Sequence, residues 1–489
     1  MIQNLRRHAL KDLSIWQNPR AHLSAFGIYY LAFACFLFTL AVYYPGYMSF
    51  DSVYQLQSAR EGVTNNGNPP MMAYVWRLTD HIIPGPGGML ILNAGLFWFG
   101  LAGIASAISS CNVVRAAVVL FCGFLPPIFG LVGTIWKDVG MHSFLVIALA
   151  FSLQASKRGR PGLLIWSTAF ICLAGTYRHN AFVATLPLIV MNTAIAVPLL
   201  KAKYPRQAAA LAHRGLERAW VVGGTAAVCA TLSMTVSFVN NHGVTDEQLW
   251  RSTMVHDLVG ISVYQGVNLL PEEVTRKSHV TIEDLKKMYV GYHLASIFAP
   301  GSRKLLGSPD PTSTAVIGAN SDGKIVFKTW LVAVLDHPGS YLWHRGQVAD
   351  KLLVLEAGNP WYPFHAGIDP NPYHIEFAPS ALSNKVLEWL RFAAGSTYLY
   401  SAWIYHVLLL VVIAVSWLLP FRYALYMQLV AASGIIYALT NLFMAPCPDF
   451  RFNNWVIGAC CICISLAAGG FRTEPAEIRE PAQSAAVAG

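Results

Sequence analysis

Four short polar stretches of this chain carry residue types that could do chemistry, and each one interrupts an apolar run. The first is Ser49-Phe50-Asp51-Ser52-Val53-Tyr54-Gln55. Pro45-Gly46 ends the preceding apolar run, and Asp51 and Gln55, at i and i+4, would share one face of a short helix lying at a membrane surface. A carboxylate held there could take a proton from an incoming hydroxyl. It could equally do no more than cap that helix. The second stretch is Trp136-Lys137-Asp138. A lysine and an aspartate between two apolar segments are costly unless they pair or face a cavity. Lys137 suits a phosphate, and Asp138 could hold that lysine or a metal; a Trp-Lys-Asp interfacial anchor is the plain alternative. The third is Thr176-Tyr177-Arg178-His179-Asn180, where the guanidinium is shaped for two-pronged contact with phosphate. His179 could carry a proton or bind a ligand, or be a hydrogen-bonded interfacial histidine and nothing more. The fourth is Pro446-Cys447-Pro448-Asp449-Phe450-Arg451-Phe452, an acid and a base on one proline-ordered turn.

The elements that must position these residues are membrane helices. Of 489 residues, 55% are hydrophobic and only 12% charged, against about 25% charged in a soluble domain. This excludes a soluble enzyme or a nucleic-acid binder, despite a formal charge of +9. Apolar stretches of about 20 residues, the length that crosses a ~30 Å hydrocarbon core, lie near 24–45, 88–109, 114–135, 139–155, 161–177, 181–200, 219–239, 397–419, 423–445 and 455–470. The expected fold is therefore an all-α polytopic membrane protein of about ten spans, since backbone in lipid must satisfy its own hydrogen bonds. A barrel would alternate residue by residue in short segments, and this sequence does not. The nine cysteines fall mostly inside spans and suggest packing, not a disulfide framework. The polar lead Met1–His22 reads as retained and not as a cleaved signal.

Orientation follows from the loops. One alternate set (the N-terminal arm with Arg6, Arg7, Lys11 and Arg20; Arg115; 157–160; 201–218; Arg422; Arg472 and Arg479) holds 16 basic residues. The opposite set, without 240–395, holds five: Arg60, Arg77, Lys137, Arg178 and Arg451. Basic residues accumulate on the cytoplasmic side, so both termini are expected there. All four polar stretches then face outward. Several cations and few carboxylates gathered at an outer membrane surface suit an anionic lipid headgroup such as a polyprenyl phosphate.

The organisation expected is an N-terminal membrane region, 1–239, with a first external loop at 46–87; an external, mainly helical region, 240–395; C-terminal membrane helices, 396–471; and a disordered cytoplasmic tail, 472–489. Of the 25 acidic residues, 15 fall between Asn240 and Arg391. Thr281-Ile-Glu-Asp predicts a capped helix start, Val326–Leu335 is apolar but too short to span, and Tyr341–Leu355 reads as helical.

In the order of these motifs the chain resembles the GT-C superfamily of integral-membrane glycosyltransferases, which use polyprenyl-phosphate sugars. In that group an aspartate follows the first span, as in Phe50-Asp51-Ser52, and a Pro-Pro-apolar motif preceded by His or Lys follows, where this chain has Asn68-Pro69-Pro70-Met71-Met72. The Lys-Asp, Arg-x-Asn and late Pro-Asp-x-Arg turns resemble those of uncharacterised bacterial branches. The similarity covers roughly 24–200 and 400–470. It implies a GT-C-like helix arrangement in a bacterial cytoplasmic membrane and an inverting hexosyl or pentosyl transfer at the outer face to a glycan, lipid or protein acceptor. Asp51 would be the base and Asp138 a second catalytic group; Lys137, Arg178 and Arg451 would bind donor phosphate. Gln55, Asn68, His179, Asn180 and Asp449 are candidate substrate contacts. Asn68 departs from the family pattern, which moves the phosphate-binding role toward Lys137 and Arg178. The resemblance implies no organic cofactor and leaves a divalent cation (Mg or Mn) open. A lipid-linked substrate transporter or flippase would put ionisable groups within spans or show repeated halves; a non-glycosyl membrane transferase would want a His- or nucleophile-centred site.

Overall fold

The computed structural model describes residues 19–63, 65–204, 214–246, 250–275, 280–294 and 322–470. The basic arm through residue 18, the loop around Arg206 and the tail with Arg472 and Arg479 lie outside the described residues. What is described is helical throughout: three isolated β-bridges are the sole strand-like pairings among these residues.

In chain order the helices are α1 (Pro19–Tyr43), α2 (Phe50–Glu61), α3 (Pro70–Ile82), α4 (Gly87–Ile108), α5 (Asn112–Phe124), α6 (Pro126–Val132), α7 (Lys137–Arg158), α8 (Leu163–Thr176), α9 (Ala181–Lys203) and α10 (Arg214–Asn241). They continue as α11 (Trp250–Gln265), α12 (Glu272–Thr275), α13 (Ile282–Met288), α14 (Gly323–Asp336), α15 (Pro338–Leu353), α16 (Ala381–Ser396), α17 (Ala402–Leu418), α18 (Ala424–Met444) and α19 (Asn454–Gly470).

Seven of the described helical segments are long and apolar enough to cross a membrane, or eight if the bent pair α5–α6 is one span, so this is a multi-pass membrane protein. The expected span 114–135 is that bent pair, turned by 68°. Pro126 and Pro127 open α6; a proline there removes backbone donors and disfavours the helical conformation at Leu125, so the helix breaks. The expected spans 161–177 and 397–419 are the shorter helices α8, of 14 residues, and α17, of 17. At 1.5 Å per residue, α8 reaches only about 21 Å.

The bundle core runs through α1, α4, α7, α9, α18 and α19, where Trp98, Phe97, Tyr437 and Trp455 are fully buried and Phe144 nearly so. Between α7 and its neighbours the polar ties are short side chains: Ser152, Ser167 and Asn192 hydrogen-bond to one another across α7, α8 and α9, the usual glue of helices that cannot use a hydrophobic driving force in lipid. The segment between α10 and α17 divides. Helices α11 and α13–α15 enclose their own apolar cluster around Leu258, Val259, Leu285 and Val326, whereas Val354, Ala393 and Ala394 belong to the bundle core. The Thr281 capping box is present.

Two extended strips lock one end of the bundle. Tyr47 pairs with the 133–135 strip through Tyr47 N to Gly133 O and Ile135 N to Tyr47 O, both 2.9 Å. Met48 pairs with the segment before α16 through Met48 N to Gly367 O, 3.0 Å, and Asp369 N to Met48 O, 2.8 Å. Gly133 is required here: a Cβ would run into the Tyr43 ring. The turn that leads into α2 is thereby fixed against the turn that leads into α7.

Candidate functional site

Asp51 is the second residue of α2, and it does not cap that helix. The preceding Ser49 makes no side-chain capping bond; its Oγ accepts from Trp136 Nε1 at 2.7 Å. The Asp51 carboxylate points away from the helix, and its Oδ2 accepts from Arg451 Nη2 at 2.7 Å. Ser52, next along α2, donates to the Ile135 carbonyl at 2.8 Å, so two hydroxyls pin α2 to the strip that precedes Lys137.

Arg451 lies on the short 3-10 turn Phe450–Asn453. Its Nη2 also meets Asp449 Oδ2 at 3.0 Å, and its Nε stands 4.0 Å from Asp138 Oδ2. The guanidinium lies over the Trp136 ring, 4.7 Å from its centre, a placement that supports a desolvated cation. Asp138 opens α7 and is completely buried. Its Oδ1 is in contact with Arg178 Nη1 and accepts from Tyr437 at 3.4 Å. Arg178 donates from Nε to Asn180 Oδ1 at 3.2 Å and lies over the Phe452 ring at 4.5 Å. Asn180 in turn donates to Asn441 Oδ1 on α18 at 2.8 Å.

Lys137 differs from the two arginines. Its Nζ hydrogen-bonds Asn68 Oδ1, and no carboxylate among the described residues pairs with it. Asn68 therefore stands beside a cation after all, one supplied by α7. His179 is also placed by the loop between α2 and α3, its Nε2 3.1 Å from the Asn66 carbonyl. Burial, and then the nearby Lys137, lower its basicity to about 4, so it is neutral at pH 7 and donates that bond. Gln55 is buried on the inner face of α2, and its Oε1 has no hydrogen-bond partner among the described residues.

The four polar stretches thus meet at one place, with three carboxylates (Asp51, Asp138, Asp449) interleaved with three cations (Lys137, Arg178, Arg451). Partial enclosure alone would raise the Asp51 carboxyl, but Arg451, Lys137 and Arg178 outweigh it and hold it at about 2. Asp51 is ionised at any physiological pH.

The aromatic walls Trp136 and Phe452 adjoin the charged residues in sequence and could have been read from it. Tyr437, one face of α18, carries no local signal. Nor do Tyr362 and His365, which bond each other at 2.5 Å, His365 Nε2 lying 3.0 Å from the Met48 carbonyl. Tyr43, Tyr47, Phe364, His365, Val386 and Leu390 line a space too tight to hold a water molecule.

The carboxylates do not form a site for Mg or Mn as arranged. Hard cations want several free oxygen ligands, and here Asp51 and Asp449 face the Arg451 guanidinium while Asp138 faces Arg178. Among the described residues no three His, Cys, Asp or Glu side chains are grouped to hold a metal. No family description, curated protein or solved structure matches this chain.

Proposed function

We propose that this protein is a GT-C-type membrane glycosyltransferase with about ten spans and both termini in the cytoplasm of a bacterium. It moves a hexose or pentose from a polyprenyl-phosphate donor to a glycan, lipid or protein acceptor on the outer face of the cytoplasmic membrane. One observation carries the reading: Asp51, Lys137, Asp138, Arg178 and Arg451, from four separate turns, converge where the apolar bundle meets its external segment. Such a cluster at the end of an apolar bundle suits a substrate with a charged head and a hydrocarbon chain.

In the reaction the acceptor hydroxyl oxygen bonds to the anomeric carbon from the face opposite the phosphate. The bond from that carbon to the phosphate oxygen breaks, and the leaving group carries away the electron pair. Lys137, whose ammonium has no carboxylate partner, meets the developing phosphate charge with Arg178 and Arg451. Asp51 accepts the acceptor proton, and Asp138 holds Arg178 in place.

The test is transfer from a panel of polyprenyl-phosphate hexoses and pentoses by the purified chain in nanodiscs. Wild type is expected to release polyprenyl phosphate and glycosylate an acceptor, and Asp51→Asn to lose at least about a hundredfold in rate, the scale of a lost general base. Transfer at the wild-type rate by Asp51→Asn would remove Asp51 from the role and turn attention to Asp138 or Asp449.

A further inference from the structure

The charged cluster carries no net charge, since three carboxylates face three cations. An anion that enters it gains little unless one carboxylate gives way. The geometry indicates which one. Asp138 is completely enclosed, held by Arg178 and Tyr437. Asp449 sits two residues from Arg451 on the same turn, with a side chain 15% exposed. Asp51 comes from a different element, α2, and its side chain is 39% exposed.

Arg451 shows how the exchange would run. A guanidinium presents Nε and one Nη as a two-pronged edge that matches two oxygens of a phosphate. In Arg451 the Nε prong has no hydrogen-bond partner among the described residues, while Nη2 is taken by Asp51 at 2.7 Å and Asp449 at 3.0 Å. Half of the fork, buried 4.0 Å from Asp138 Oδ2, makes no hydrogen bond, and the other half is shared by Asp449 and the most exposed carboxylate, Asp51. Stacking on Trp136 at 4.7 Å keeps the fork in place while its partner changes.

We infer that a phosphate headgroup takes the Arg451 fork from Asp51, so that arrival of the donor frees the carboxylate that acts on the acceptor. The inference rests on the phosphate-donor reading above. Before binding, Asp51 is ionised but is a poor proton acceptor, because Arg451, Lys137 and Arg178 hold its proton affinity down. After the exchange it has lost its nearest cation and gained an anionic neighbour, and both changes raise its affinity for a proton. The other groups around it are Asp449 and Cys447 on the 445–453 turn, Asp138 on α7 and Tyr362 before α16. Among the described residues, Arg451 alone pairs directly with Asp51. Donor binding therefore precedes productive acceptor binding.

Binding of a short-chain isoprenyl monophosphate to the full chain in nanodiscs tests this without requiring transfer. Asp51→Asn should bind the phosphate about tenfold or more tighter than wild type, since Arg451 no longer has to be taken from a charged partner. Asp51→Ala, a second route to the same end, should do likewise. In the Arg451→Gln background the gain should vanish, which ties it to this pair. Equal or weaker binding by both Asp51 variants, with wild type binding phosphate, would overturn the exchange and leave the phosphate reading standing. No phosphate binding by wild type or variants would overturn that reading and the exchange with it.

Discussion

At the residue scale, Lys137 and Asn68 show how a position in a motif and its charge can come from different parts of the chain. Where the resembled family has a cation before its two prolines, this chain has Asn68, whose Oδ1 accepts from Lys137 Nζ. Lys137 should therefore dominate phosphate binding. Lys137→Ala is expected to weaken isoprenyl-phosphate affinity tenfold to a hundredfold, the ~1.5–3 kcal/mol of one charge-assisted bond. Asn68→Ala, which removes only a neutral partner worth about 0.5–1.5 kcal/mol, should weaken it about tenfold at most. Parallel titrations decide: equal losses would mean that Asn68 itself touches the ligand. The sequence alone predicts that Asp51→Asn leaves donor binding intact, because the side chain keeps its size and polarity. The Asp51–Arg451 contact, between residues 400 positions apart, turns that expectation into a gain. Charged residues were easy to find because they stand out against an apolar background. Which charge faces which was not legible, because the pairings are made by tertiary packing of distant turns.

At the element scale, the long helices were legible from length and apolar composition, since lipid imposes one rule on every span. The two prolines that break α5–α6 were also visible in the sequence, yet composition averages over them and reads a single span. Least legible was how helices α11–α15 grip the site. Arg345 on α15 donates from Nη1 to the Ala445 carbonyl at 3.0 Å and lies 2.8 Å from Asp257 Oδ1 through Nη2. It thereby ties the α11–α15 cluster to the turn that carries Asp449 and Arg451. Arg345→Met should leave the buried Asp257 carboxylate without its guanidinium, facing only the neutral His344 ring at 3.1 Å and the Trp330 indole at 2.8 Å among the described residues, a loss of about 3–5 kcal/mol typical of a broken buried pair. A lower unfolding midpoint in nanodiscs would register it; an unchanged midpoint would show that the tie contributes little. The same cluster sets an acid limit. Burial above all holds His256 and His344 below the usual histidine range, and His179 is lowered to about 4. Each binds its proton less readily folded than unfolded, so stability should fall as pH drops below about 6.5. Asp51, held at about 2, adds its own loss only below the ordinary carboxylate range. Unfolding midpoints at pH 7.5 and 5.5 should therefore differ, the lower one at pH 5.5.

At the scale of the whole molecule, orientation is the property most open to direct test, and charge counting was able to address it because it sums over many loops. With the basic loops on the cytoplasmic side, the α4–α5 connection faces inward, while α2 and α16 lie outside. The protein carries its own reporter of the inner side: Cys111, in the α4–α5 connection, is exposed, whereas the other eight cysteines are buried or half-buried. Gln57→Cys on α2 and Asn384→Cys on α16, both at exposed positions, supply reporters of the outer side. An impermeant thiol reagent applied to intact cells should label the two introduced cysteines and leave Cys111 untouched until the membrane is opened. The two introduced sites are separated by more than 300 residues of chain, so their agreement tests the bundle between them and not a single loop. Because α2 and α16 sit on the same end of the bundle as the charged cluster, joined to it through the Tyr47 and Met48 strips, their labelling also reports which side the cluster faces. The reverse pattern would place Asp51, Lys137 and Arg451 in the cytoplasm and separate them from a sugar donor presented on the outer leaflet.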